Sequence, residues 1–178
     1  MTRAVPDGGP IEAHTDLVKK LDYECELAVV LGRDARDVPA GQTRDYIFGY
    51  TILNDVSARD VQTAHKQWYF GKSLDGFTPI GPCIVTADAF ADYPPRLGIR
   101  SFVNGEKRQD SNTALQIFDI DHVIAELSQG MTLKAGTIIA TGTPAGVGMG
   151  MDPPQFLKPG DVVRCEIEGI GTLTNPVK

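Results

Sequence analysis

Two glutamates two residues apart, and an aspartate at the end of the next apolar run, are the side chains of this sequence best placed for chemistry. Glu24 and Glu26 lie in residues 21–32, LDYECELAVVLG. That stretch alternates up to Ala28 and then runs apolar, as a strand passing into a covered core does. With a period of 2, Asp22, Glu24, Glu26 and Ala28 share one face, and Tyr23, Cys25, Leu27 and Val29 the other. Adjacent carboxylates repel, and burying them without a partner is costly or forces protonation, so a divalent cation is the economical resolution. The same alternation also describes the solvent face of an edge strand, and the pattern alone leaves both readings open. Asp55 shifts the balance. It follows the apolar, β-rich run 46–54 and precedes Ser57, whose spacing to Asp60 resembles a capping box, so it is expected at a strand end facing a helix N-terminus. Three carboxylates with no nearby Cys or His pair form an all-oxygen set, which favours Mg²⁺, Mn²⁺ or Ca²⁺ over zinc. Such an ion keeps open positions for a chelating oxyacid.

Arg59, Gln62 and Lys66 share one face of the predicted helix 57–66, the first two in the turn nearest Asp55. A cation and an amide there can grip a carboxylate; the plain alternative is a solvated helix face. Lys72, in Gly71-Lys72-Ser73 after Trp68-Tyr69-Phe70, is expected in a Gly-flanked loop, where partial desolvation aims it at an anionic oxygen. Residues 141–148, TGTPAGVG, follow a short apolar strand, and their glycines let backbone amides approach an anion. The Gly-Lys-Ser/Thr ending of a Walker loop is missing there. His14, His65 and His122 have no ligand or triad spacing and read as bland surface or satisfied residues. No Gly-x-Ser-x-Gly elbow marks a serine hydrolase.

The body that must position these groups is one domain: 178 residues at 42% hydrophobic content supply a single sizeable core. With 19 Gly and 12 Pro but ordinary charge, the chain reads as turn-rich and strand-rich. Further short strands are predicted at 81–86, 99–103, 137–141 and 162–168, with a helix at 120–129. Asn104-Gly105 signals a hairpin between 99–103 and 107–109, because both central positions tolerate positive φ. Residues 1–10 read as a loose lead-in. A net charge of −6 argues against nucleic acid and anionic membrane surfaces as partners. No apolar run approaches the roughly 18 residues of a membrane span. Cys25, Cys83 and Cys165, odd in number and scattered, suit neither a disulfide framework nor a zinc cluster, which points to a reducing cytoplasm.

Taken in order, several strings resemble the fumarylacetoacetate hydrolase family. They are residues 22–30 (DYECELAVV), Gly49-Tyr50 through 54–60 (NDVSARD), Gly71-Lys72-Ser73, 103–106 (VNGE), 141–144 (TGTP), 156–161 (FLKPGD) and 167–171 (IEGIG). The likeness runs from about Ile11 onward. It implies an α+β, mainly β fold, a mixed β-sandwich roll with a few short helices, usually a homodimer. Residues 1–20 would then be an N-terminal arm and 21–178 the catalytic domain. The resemblance also implies one Mg²⁺ or Mn²⁺ held by Glu24, Glu26 and Asp55, with Arg59, Gln62, Lys72, Gly142 and Thr143 contacting the substrate. Family substrates are small 2-oxo or 2,4-dioxo acids, and the reactions include C–C hydrolysis, decarboxylation and keto–enol isomerisation. In many members a His-Glu pair on a lid upstream of the Glu-x-Glu strand activates water. The only His before that strand is His14, in a segment unlike the lid. The lid is therefore expected in a longer reading of the gene, or the base is another group such as Glu166, or the reaction needs none. C–C hydrolysis of an acylpyruvate-type acid is the leading expectation, with Lys72 and Glu166 as catalytic groups. An isomerase or decarboxylase is the alternative, and a binding homologue without catalysis the third.

Overall fold

Residues 21–32 form the spine of the fold, in two pieces rather than the one strand expected. The computed structural model describes residues 3–64 and 66–178; His65 and the first two residues lie outside the described residues. In chain order the strands are β1 Ala4–Val5, β2 Leu21–Asp22, β3 Cys25–Leu31, β4 Ile47–Asn54, β5 Ser57–Ala58, β6 Thr78–Thr86, β7 Gly98–Val103, β8 Glu106–Asn112, β9 Ile138–Ala140, β10 Val162–Ile167 and β11 Gly171–Pro176. The helices are α1 Arg59–Ala64, α2 Tyr69–Lys72 and α3 Ile120–Leu127. One sheet runs β1-β6-β4-β3-β9, a second β11-β10-β7-β8, and β2 and β5 form a two-stranded third. The mixed, mainly β roll with short helices is therefore the architecture present.

β3 lies between β4 and β9 in its sheet, and Glu24 and Glu26 at its start are buried, which removes their solvent-face reading. Its odd-numbered side chains, Cys25, Leu27, Val29 and Leu31, join Ile99 and Val103 of β7, Val163, Cys165 and Ile167 of β10 and Leu173 of β11 in the main core. Each such aliphatic side chain contributes about 1.5–3 kcal/mol on burial. That pins the register, because a slip of one residue would exchange Leu27 for Glu26 in the core. On the other face Glu26, Ala28 and Val30 are buried as well.

The β2–β5 ladder pairs Asp22 with Ser57, and the β3–β4 ladder pairs Cys25 with Asn54, in one continuous register. The break at residues 23–24 thus leaves Glu24 directly opposite Asp55, joined by a hydrogen bond from the Asp55 N–H to the Glu24 carbonyl at 2.9 Å. Continuing the ladder through β5 delays the helix: it starts at Arg59, not at Ser57. The capping box does not form. The Ser57 hydroxyl donates to the Asp55 carbonyl, and Asp60 accepts the Lys19 N–H instead.

Other expectations differ at their edges. The 104–105 hairpin joins β7 to β8, with Asn104 at φ 52° and Gly105 at φ 84°, as a two-residue turn with both central φ positive requires. β11, missed in the sequence because Thr and Asn interrupt its pattern, pairs along all of β10. The N-terminal segment is packed into the body: β1 lies parallel to β6, and Ile11, Ala13 and Val18 are core residues.

Candidate metal centre

Glu24, Glu26 and Asp55 each present an oxygen within 4.8 Å of the others. Three elements bring them together. Glu24 sits in the gap before β3, its N–H donated to the Asn54 side chain at 3.0 Å. Glu26 projects from β3, and Asp55 follows β4. Around them the side chains are ordered by charge. The Arg59 guanidinium bridges Asp22 (Nε to Oδ2, 2.9 Å) and Glu24 (Nη1 to Oε1, 2.7 Å), and Nη1 also donates to the Gln62 Oε1 at 3.2 Å. The Lys72 Nζ donates to Glu24 Oε2 and Asp55 Oδ2, both at 2.7 Å. Glu26 Oε2 accepts the Gly142 N–H at 2.8 Å.

Lys72 reaches this position from the end of α2, not from a loop. Gly71 lets α2 press against α1, for a Cβ at that position would lie 2.7 Å from the Gln62 nitrogen. The loop expected to hold an anion by its amides holds Glu26 instead. The Thr143 hydroxyl donates to the Cys25 carbonyl at 2.9 Å and receives the Gln109 amide at 2.8 Å, so it anchors the loop to β3. Arg59 is likewise engaged with carboxylates of the chain itself and with Gln62.

Glu166 is not brought to the trio. On β10, Val163, Cys165 and Ile167 enter the core, whereas Arg164 and Glu166 alternate to the opposite side and pair with each other at 3.1 Å. The core-facing neighbours of Glu26 and Glu166, Cys25 and Cys165, meet each other in the core. His14 is engaged with the Asp75 carbonyl, and His122 stacks on Phe118. Asp22, used above only to define a face, proves to be fully buried, accepting the N–H groups of Tyr23, Gly148 and Met149 besides the Arg59 bond. Its place on the Glu24 face was the available signal.

Three buried carboxyls (Asp22, Glu24, Glu26) and the half-buried Asp55 meet two cations (Arg59, Lys72), which leaves two negative charges when all are ionised. Glu26 bears the strain. Burial, and then the Asp55 carboxylate beside it, push its carboxyl up to about 8, against the pull of the Gly142 N–H. Burial pushes the Asp55 carboxyl up as well, against Lys72. A divalent ion would cancel the remaining charge. Its oxygen ligands stand at about 2.0–2.6 Å, so the spread of this donor set suits it with little adjustment. The residues present therefore fit Mg²⁺, Mn²⁺ or Ca²⁺.

A carboxylate trio able to hold a cation, at the seam of a mixed β roll, marks the class, and sequence comparison identifies the family. The family described as "Fumarylacetoacetate (FAA) hydrolase C-terminal" matches residues 2–178, and the chain belongs to it. The oxaloacetate tautomerase of Bacillus subtilis is 47% identical over 170 residues, which is 96% of this chain and 56% of that protein. A fumarylacetoacetate hydrolase from the psychrophile Exiguobacterium antarcticum superposes with a TM-score of 0.95 at 52% identity, over 98% of this chain and 62% of that one. Fumarylpyruvate hydrolase from Pseudomonas aeruginosa, solved with Mn²⁺ and pyruvate, superposes with a TM-score of 0.86 at 29% identity, over 99% of this chain and 74% of that one. The chain thus spans about half the length of the curated relatives it matches, 56% for the tautomerase.

Proposed function

We propose that this chain carries the metal-dependent site of an enzyme acting on small 2-oxo or 2,4-dioxo acids. The observation that supports it most is the Glu24–Glu26–Asp55 trio with Lys72 set between two of its members. In this reading those three residues hold Mg²⁺ or Mn²⁺, which when bound supplies Lewis acidity toward the carboxylate and ketone oxygens of the acid. Lys72 adds a fixed positive charge beside the oxygen where negative charge builds during enolisation or bond cleavage. Arg59 and Gln62 hold Glu24 in place on one side, while Gly142 and Thr143 form the wall beside Glu26 that meets the substrate. Burial makes each of these charges count for more than it would in water.

Hydrolysis, isomerisation and decarboxylation all draw on that charge stabilisation. C–C hydrolysis additionally needs an activated water. With Glu166 away from the site, keto–enol isomerisation or tautomerisation asks least of the groups gathered there, and the Bacillus relative bears the name of such an activity. The test is turnover of oxaloacetate and acylpyruvates with Mn²⁺. A shifted ultraviolet band alone means isomerisation, CO₂ release means decarboxylation, and pyruvate with a second acid means hydrolysis. Binding of Mn²⁺ and oxalate with no turnover would mark a binding protein instead. The reading includes a homodimer in a reducing cytoplasm, where Cys25, Cys83 and Cys165 stay thiols; sedimentation of the purified chain as a monomer would contradict the dimer. Among the described residues no helix is long and apolar enough to cross a membrane.

A further inference from the structure

Gln109 is a neutral side chain on β8, fully buried and far from the trio in sequence, yet its amide ties two parts of the site together. Its Oε1 accepts the Cys25 N–H at 3.1 Å and the Ser101 hydroxyl at 2.8 Å. Its Nε2 donates to the Thr143 Oγ1 and to the Pro144 carbonyl, both at 2.8 Å. A carboxamide has two lone pairs and two N–H groups, so its capacity is fully used.

The position of these bonds gives them meaning. β9 pairs with β3 only at Ala28, Val29 and Val30. Toward its start, β3 is left without a neighbouring strand on that side, at the very residues that carry the carboxylates. Side chains continue the ladder: the Thr141 hydroxyl donates to the Leu27 carbonyl, the Thr143 hydroxyl to the Cys25 carbonyl, and Gln109 accepts the Cys25 N–H. An irregularity in the β7–β8 ladder between Ser101 and Phe102 adjoins the Ser101–Gln109 pair, and bulges of this kind re-aim side chains. One end of the amide therefore grips the peptide between Glu24 and Glu26. The other grips the loop whose Gly142 N–H holds Glu26.

We infer that Gln109 is a positioning residue of the site, a strut that sets the separation between the Glu24–Glu26 segment and the 142–144 loop and so fixes the Glu26 carboxylate. It touches neither substrate nor ion, and the inference rests on the metal-enzyme reading above. Hydrogen-bonded partners one step removed from metal ligands typically change affinity or activity by about 10–100-fold when lost.

Two variants of the 178-residue chain separate a strut from a polar filler. Gln109→Met keeps the length and loses every hydrogen bond. Gln109→Asn keeps the amide but is one methylene too short to span both ends. Calorimetric titration with Mn²⁺ is expected to give a Kd raised about tenfold or more for both variants, with the far-ultraviolet circular dichroism of the wild type. Thr143→Val removes one of the two loop contacts of the amide and the direct Thr143–Cys25 bond, so it loosens the same joint and is expected to raise the Kd as well. A wild-type Kd in the folded variants, with only a lowered melting temperature, overturns the inference and leaves the metal-enzyme reading standing. If neither Gln109 variant folds, Thr143→Val alone carries the measurement, and an unchanged Kd there overturns the inference. A wild type that binds no Mn²⁺ overturns the metal-enzyme reading and this inference with it.

Discussion

Raising the pH should make the metal-free protein easier to unfold, and Glu26 is the main cause. Its carboxyl titrates near 8 in the folded chain, against an ordinary value of 4.5. Between those two values the unfolded chain has released a proton that the folded chain still holds. Stability therefore falls as pH rises across that window. The contribution is complete below the unfolded value and is lost as the pH climbs through about 8. Each pKa unit corresponds to about 1.4 kcal/mol, so the window amounts to several kcal/mol. That is a visible fraction of the roughly 5–15 kcal/mol that holds a domain together. Asp55, also raised, acts in the same direction. Urea unfolding in a chelating buffer at about pH 6, 7 and 8 is the assay, with midpoints expected to fall as pH rises. Glu26→Gln keeps an oxygen for the Gly142 N–H and cannot ionise, so its midpoint should fall much less and exceed that of the wild type at the alkaline end. An equal decline in the variant, or a wild-type midpoint that rises over the same range, would refute the reasoning.

Arg59→Ala leaves Asp22 and Glu24 buried without their guanidinium, and should cost about 3–5 kcal/mol in urea unfolding. Gly71→Ala forces α2 away from the Gln62 backbone. The expected cost is about 1–3 kcal/mol, together with reduced turnover as Lys72 leaves Glu24 and Asp55; unchanged turnover would contradict the role given to Gly71. Glu166→Gln should leave turnover at the wild-type rate and stability within about 0.5 kcal/mol; lost turnover with the fold intact would return Glu166 to the chemistry.

The trio was legible because a period of 2 is enough to put Glu24 and Glu26 on one face, and an aspartate closing an apolar run lies at a strand end. What the pattern could not reveal is which strand is interior. β4 flanks the start of β3 on one side, and the 141–144 loop and Gln109 cover the other, so the glutamates are buried rather than solvated. Arg59 was legible as a cation near the site and Asp22 as a neighbour of Glu24 on one strand face, but the pairing that brings them together runs through β5, which reads as a helix start in the sequence. Lys72 reads as a loop residue because a four-residue helix, Tyr69–Lys72, is too short to show a period. Gln109 carried no signal at all: a neutral residue in a polar hairpin strand becomes central only once β8 is folded beside the start of β3.

The most direct measurement is calorimetric titration of the chelator-treated chain with Mn²⁺, beside Glu24→Ala, Glu26→Ala and Asp55→Ala. The trio as a metal centre predicts one ion per wild-type chain and loss of that binding in each folded variant. Wild-type affinity retained in all three variants, or no binding by the wild type, would contradict it.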